Sequence, residues 1–195
     1  DLRKSLIEIC NTTYKTLLES NSYEAVLQGI CALENDQLFN AGTGSKLQND
    51  GRIRMSAGIM DGQKNVFSGV INIQNVENPI LVADRLQKEK HTIVAGDKAT
   101  QLARDLGFPQ YNPLVQKRWD EHIKNQKGIT GTVGVVALDS KGNISAGTST
   151  GGIGGETPGR VSDSPTVAGN YANKYAGVSA TGIGEQIVNS GAAVK

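Results

Sequence analysis

Apolar residues at Leu2, Leu6, Ile9, Cys10, Tyr14, Leu17 and Leu18 recur at the spacing of one helix face and predict a helix from Leu2 to Leu18. Asn21 and Ser22 can cap a second helix, Tyr23 to Leu33, with Val26, Leu27, Ile30 and Leu33 on its apolar face. The period is lost from Asn35 to Gly44, which reads as an ordered loop. Ile53, Met55 and Ala57 then alternate with polar or small residues, as in a strand, and Asn65 to Asn72 forms a second, with Asp61-Gly62 as the turn between them. Asn78-Pro79 opens a helix through about Lys88, with Pro placed early, where its missing N–H costs nothing. His91 to Ala95 is a short strand, and Asp97 to Leu106 a helix stopped by Gly107. Leu114 to Lys124 is a weaker helix that runs into a polar connector, Asp120 to Gly131.

Beyond the connector the period changes from helix to strand. Thr132 to Leu138 is a strand, Asp139 to Asn143 a turn, and Ile144 to Ser149 returns antiparallel. Tyr175 to Thr181 is a further strand, followed by Gly182-Ile183-Gly184 and the start of a helix. Helices, strands, helices, connector and strands, in that order, predict an α+β fold with a largely antiparallel sheet.

Composition sharpens this picture at one point. Of the 24 glycines in 195 residues, 15 fall between Gly128 and Lys195. They follow no triplet repeat and are interleaved with Val and Ile, which excludes collagen and a flexible linker. Tight turns and close backbone approach are what such a segment can supply. A net charge of +1 excludes nucleic-acid binding driven by bulk charge. No run approaches the ~18 apolar residues of a membrane span. Cys10 and Cys31 sit among apolar residues and read as reduced core cysteines. The expected location is the cytoplasm. A chain that starts at Asp1 leaves a removed leader, and hence a periplasmic or secreted protein, open.

Histidine chemistry finds little support. His91 and His122 lie far apart without Cys or Glu at ligand spacing, and neither has an orienting acid or a nucleophile elbow nearby. Gly152-Ile153-Gly154 lacks the third glycine of a dinucleotide fingerprint, and there is no Gly-Lys-Ser/Thr phosphate loop. A threonine, however, can act without histidine when it begins a chain, because its own α-amine is then the base. That amine has an ordinary pKa near 8, so a useful free-base fraction exists at neutral pH. Thr132 stands at a strand start behind a severable connector, after a glycine that lets the peptide bond take a strained geometry.

The neighbouring motifs give this reading company. Gly131-Thr132-Val133-Gly134-Val135-Val136-Ala137-Leu138-Asp139 resembles the nucleophile strand of the plant-type asparaginase and isoaspartyl (β-aspartyl) peptidase family. Thr148 to Gly152 and Pro158 to Pro165 resemble its substrate loop. Val178 to Glu185 resembles its oxyanion segment. Leu38 to Gly44 and Gly58 to Gly62 resemble its α-subunit signatures. The likeness runs from about Ser22 to Val188.

This resemblance implies an N-terminal-nucleophile hydrolase with a four-layer αββα sandwich. It also implies self-cleavage between Gly131 and Thr132, so that residues 1–131 form an α-subunit-like segment and residues 132–195 begin the β-subunit. Thr132 would attack the side-chain amide of L-asparagine or a β-aspartyl peptide, with Thr150 holding its hydroxyl and Asn40 near its amine. Arg160 would take the substrate α-carboxylate and Asp163 its α-ammonium. The Thr181 hydroxyl and Gly182 N–H would stabilise the oxyanion. The carbonyls of Leu33, Glu34, Asp36, Phe39, Ala41 and Thr43 match a sodium-binding loop, and no other cofactor is implied. A dimer of αβ heterodimers is expected, with no nucleic-acid or membrane partner.

Rival readings share these residues. One is a glycosylasparaginase-type amidase, another an idle, uncleaved or truncated precursor, and a third a nucleotide-binding module using the glycine loops. The family's opening His-Gly-Gly strand is not found, and Ser56 stands where an acidic residue is common. The family also continues past the residue matching Lys195, so the sandwich is expected to be incomplete at both ends.

Overall fold

A computed structural model describes residues 1–124 and 131–194. In chain order these form α1 (Leu2–Glu19), α2 (Ser22–Asn35), β1 (Met55–Asp61), β2 (Val66–Ile73), α3 (Pro79–Leu86), β3 (Ile93–Ala95), α4 (Gly96–Asp105), α5 (Gln116–Ile123), β4 (Val133–Leu138), β5 (Ile144–Thr150), β6 (Asn170–Ala172), β7 (Gly177–Ser179) and α6 (Gly184–Ser190). The α+β expectation holds. Five strands form one sheet in the order β3-β2-β1-β5-β4, and β6 and β7 form a separate antiparallel pair. Only the β2–β3 pairing in the larger sheet is parallel.

Local chemistry accounts for the element ends. The Asp1 side chain accepts from Arg3 N–H and Asn21 Oδ1 from Glu24 N–H, which starts α1 and α2 by N-capping. Asp61 Oδ1 accepts from the N–H groups of Gln63 and Lys64, which closes the turn after β1. Asp139 Oδ1 does the same for Lys141 and Asn143 between β4 and β5.

The central strands β1 and β5 are buried on both faces, and β5 shows how. Ser145, Gly147 and Ser149 face α2: Ser145 Oγ lies 3.1 Å from Ser22 Oγ, and Ser149 donates to Glu34 Oε1 at 2.6 Å. Ala146 and Thr148 face the β6–β7 pair: Thr148 donates to Asn170 Oδ1 at 3.0 Å and lies 2.7 Å from Ser179 Oγ. Residues one apart point to opposite faces, so a single strand carries both interfaces. The main core fills the helical side with Val26, Ile30, Ile59, Val70 and Ile80, and a smaller cluster of Met60, Ala146 and Ala172 fills the other. Glu34 is fully buried and also accepts from Ile80 N–H at 3.1 Å, and burial pushes its carboxyl up to about 8.

Several expectations are corrected. The α1 helix forms as its spacing predicts, yet none of its residues is buried and Leu18 is 69% exposed. It packs on α2 only through partly buried residues such as Ile9 and Leu17. Cys10 is therefore exposed rather than in the core, while Cys31 is half-buried; both are free thiols. The connector expected from Asp120 starts later, because α5 continues to Ile123; its residues 125–130 lie outside the described residues. The strand expected over Tyr175 to Thr181 shrinks to Gly177–Ser179, because Asn173 Oδ1 captures the N–H groups of Tyr175 and Ala176 in a turn. The β6 strand was not foreseen.

Glycine is required where α2 crosses β5. A Cβ on Gly147 would lie 2.7 Å from Val26 Cγ1 and 3.2 Å from Ile30 Cγ1, both in fully buried side chains. Gly147→Val is expected to destabilise the protein by about 1–3 kcal/mol through overpacking. A denaturant midpoint unchanged from wild type would contradict that packing.

Candidate active site

Strand register decides what lies beside Thr132. Val133 pairs with Ser149, so Thr132, one residue earlier, comes opposite Thr150. Its hydroxyl donates to Thr150 Oγ1 at 3.2 Å, and Thr150 Oγ1 also accepts from Gly152 N–H at 3.1 Å. Thr150 is buried and Thr132 half-buried. Both belong to the face of the sheet that carries β6 and β7, as the alternation from Gly134 and Thr148 requires.

The same face approaches closely at Gly134, where any Cβ would collide with Ser179 Oγ. That contact and the hydrogen bonds of Thr148 to Asn170 and to Ser179 dock the β6–β7 hairpin against β4 and β5. Chain leaving β7 then delivers Thr181 and Gly182, both exposed, to the cavity that Thr132 and Thr150 line. Gly182 has φ 149°, within the region that favours glycine.

Arg160 and Asp163 line this cavity as well. Asp163 is 4% exposed, and its Oδ2 takes no hydrogen bond from any described residue. Burial raises its carboxyl above the ordinary aspartate range, against the opposing pull of the Arg160 charge. Arg160 does not pair with it. Its Nε donates to Glu185 Oε1 at 2.7 Å and its Nη2 to Glu185 Oε2 at 3.1 Å. Glu185 is a partner that sequence reasoning missed, although it closes the quoted Val178 to Glu185 motif.

Asn40 stands behind the threonines rather than in the cavity. Its Nδ2 donates to Gly152 O at 2.6 Å, its Oδ1 accepts from Lys46 N–H at 3.0 Å, and its carbonyl accepts from Gly151 N–H at 2.9 Å. The loop that carries Asn40 is held by buried Arg118 of α5, which donates to Gly44 O at 2.6 Å and Phe39 O at 3.4 Å. Neither Arg118 nor buried Glu156, whose Oε1 accepts from Ile153 N–H at 3.2 Å, carried a sequence signal of its own.

The carbonyls of the Leu33 to Thr43 segment are partly engaged. Glu34 O accepts from Thr43 N–H at 2.7 Å and Asp36 O from Phe39 N–H at 3.1 Å. Gly42, at φ 50°, folds back so closely on the Glu34 carbonyl that no Cβ fits. The Leu33, Glu34 and Asp36 oxygens lie at the C-terminal end of α2, where the helix dipole is negative. No group of three or more His, Cys, Asp or Glu side chains suited to a metal occurs among the described residues.

The fold and cavity together define an α+β protein whose site joins two threonine hydroxyls to an arginine and a buried carboxylate with one oxygen free of hydrogen bonds from described residues. A family model described as Asparaginase matches residues 1–128 and 117–195, and the chain belongs to that family. It is 45% identical to the isoaspartyl peptidase/L-asparaginase of Synechocystis, over 100% of this chain and 65% of that protein. The plant-type L-asparaginase of Pyrococcus horikoshii is 40% identical, over 88% of the chain and 64% of that protein. The isoaspartyl peptidase/L-asparaginase of Mus musculus is 40% identical, over 96% and 63%. The chain thus spans just under two thirds of the length of these curated relatives.

Burying a carboxylate with one oxygen left without a donor costs stability, which gives Asp163 a testable signature. A carboxyl raised in the folded state contributes stability that is fully present below its ordinary pKa and is lost as pH rises through the raised value. Asp163→Asn removes the buried charge. The variant is expected to melt above wild type at pH 7, with the gap narrowing at pH 4. A variant melting below wild type at pH 7 would contradict this account.

Proposed function

We propose that the chain is the amide-cleaving part of a self-processing threonine hydrolase acting on L-asparagine and β-aspartyl (isoaspartyl) peptides. The observation that carries this reading is the 3.2 Å contact between Thr132 Oγ1 and Thr150 Oγ1, in one cavity with Arg160, Asp163, Thr181 and Gly182. The relatives are named for the same reaction.

In this reading residues 1–131 and 132–195 are two subunits of one αββα sandwich, separated when the Gly131–Thr132 bond is cut. The Thr132 hydroxyl attacks the carbonyl carbon of that bond, and its proton passes to the amide nitrogen as the C–N bond breaks. Water hydrolyses the resulting ester and leaves a free Thr132 α-amine. During turnover that amine takes the hydroxyl proton while Oγ1 attacks the substrate's side-chain carbonyl. The Thr181 hydroxyl and Gly182 N–H receive the oxyanion, and loss of one such donor typically costs about 2.7–4 kcal/mol. Ammonia or the leaving peptide departs with the proton, and water then releases aspartate.

The remaining residues select and hold. Arg160 takes the α-carboxylate and Asp163 the α-ammonium, an opposed pair that recognises an amino-acid head group. Thr150 fixes the nucleophile's hydroxyl. Asn40 braces the Gly151-Gly152 turn beside it. The backbone oxygens of Leu33, Glu34, Asp36, Phe39, Ala41 and Thr43 fit a hard monovalent cation, sodium, which would secure the loop that carries Asn40. No organic cofactor enters the reaction. The assembly is a dimer of αβ heterodimers, and we place it in the cytoplasm. Among the described residues no helix is long and apolar enough to cross a membrane.

Intact mass after incubation is expected to show fragments meeting at Gly131 and Thr132, with ammonia released from L-asparagine. Thr132→Ala is expected to abolish both. Splitting at the same bond in that variant would place the nucleophile elsewhere. Replacing sodium by choline in the buffer is expected to lower the melting temperature by a few degrees, since a ligand bound only to the folded state stabilises it as RT ln(1 + [L]/Kd). An unchanged melting temperature would remove the ion from the account.

A further inference from the structure

Glu185 holds the residue that the proposed function assigns to the substrate carboxylate. A guanidinium offers two edges to a carboxylate: a side edge, Nε–H with one Nη–H, and an end edge, Nη1–H with Nη2–H. Glu185 fills the side edge, through Nε at 2.7 Å and Nη2 at 3.1 Å. The end edge, one Nη1–H beside one Nη2–H, donates to no described residue.

We propose that Glu185 is a positioning residue that locks the Arg160 guanidinium with its end edge free for the substrate's α-carboxylate. The inference rests on the amidohydrolase reading of the same cavity. Three observations support it. Arg160 is 14% exposed while Glu185 is 61% exposed, so the acid meets the arginine from the solvent side, and Arg160 also lines the cavity that holds the two threonines. A Cβ on Gly184 would lie 3.0 Å from Arg160 Nη2 and 2.8 Å from Asp163 Oδ1. Both charged groups therefore reach the space kept clear by the glycine next to Glu185. Asp163, only three residues from Arg160, nonetheless keeps an Oδ2 without a hydrogen bond from any described residue. Glu185 thus engages the arginine that would otherwise neutralise the ammonium-binding acid. The hydrogen bonds from Arg160 hold the Glu185 carboxyl down to about 2, so the lock stays ionised throughout the neutral range.

Placement on α6 adds a coupling. Glu185 follows Gly182 by three residues, so the pair ties the loop that bears Arg160 and Asp163 to the oxyanion segment. Head-group recognition and oxyanion stabilisation then share one strut.

The test compares wild type, Glu185→Ala, Glu185→Gln and Arg160→Ala by L-aspartate binding calorimetry and by hydrolysis of L-asparagine and of its α-carboxamide analogue. Glu185→Ala is expected to weaken L-aspartate binding and raise KM for L-asparagine about tenfold, with kcat within about threefold of wild type. KM for the α-carboxamide is expected to be unchanged. Glu185→Gln, which keeps an acceptor for Arg160 Nε–H, is expected to recover part of the loss. Equal losses for both substrates would mean that Glu185 only supports the fold, and tighter aspartate binding would make it a competitor of substrate; either overturns the inference. If Arg160→Ala impairs binding and Glu185→Ala does not, the inference falls and the amidohydrolase reading stands. A wild type that neither binds L-aspartate nor releases ammonia overturns the reading itself and the inference with it.

Discussion

Pairing of Val133 with Ser149 is the constraint on which the rest of the site depends. It sets Thr132 opposite Thr150 and assigns both to the face that meets the β6–β7 hairpin. A slip of one residue would turn Thr132 toward α2 and bring Val133 into the polar cavity. Burial on both faces of β5 forbids that slip, because Ser145 and Ser149 have partners on α2 while Thr148 has partners on β6 and β7. The hydroxyls that look like an unusually polar strand in sequence are the devices that fix its register.

Close approach is the second condition. Gly147 admits Val26 and Ile30, Gly134 admits Ser179, and Gly177 admits Val136 and Ile144. Side chains at these three positions would push the helical layer, or the hairpin that delivers Thr181 and Gly182, away from the sheet. Glycine crowding in the last third of the chain is therefore a packing requirement at these positions, more than a matter of turns.

Much of the fold was legible because amphipathic period and capping are local. Helices α1 and α2 and strands β4 and β5 fall within two residues of the ends their patterns predict. Burial is not local, so the exposure of Cys10 and the lack of any fully buried residue in α1 could not be read from apolar spacing. The β6 strand escaped because three residues carry too little pattern, and its role comes from Asn170 reaching β5. In the site, motif order brought forward Thr132, Thr150, Arg160, Asp163, Thr181 and Gly182, and all six line one cavity. Glu185 and Arg118 stayed invisible because each works through a partner 25 or 74 residues away, and nothing in the residue itself marks that reach.

The most direct measurement of the central claim, that Thr132 Oγ1 is the attacking atom, is peptide mapping after rapid acid quench during L-asparagine turnover. The account predicts a β-aspartyl ester on Thr132, at the N-terminus of its fragment, and on no other residue. An ester on Thr150 or Thr181, or steady ammonia release with no ester on Thr132 at any quench time, would contradict it.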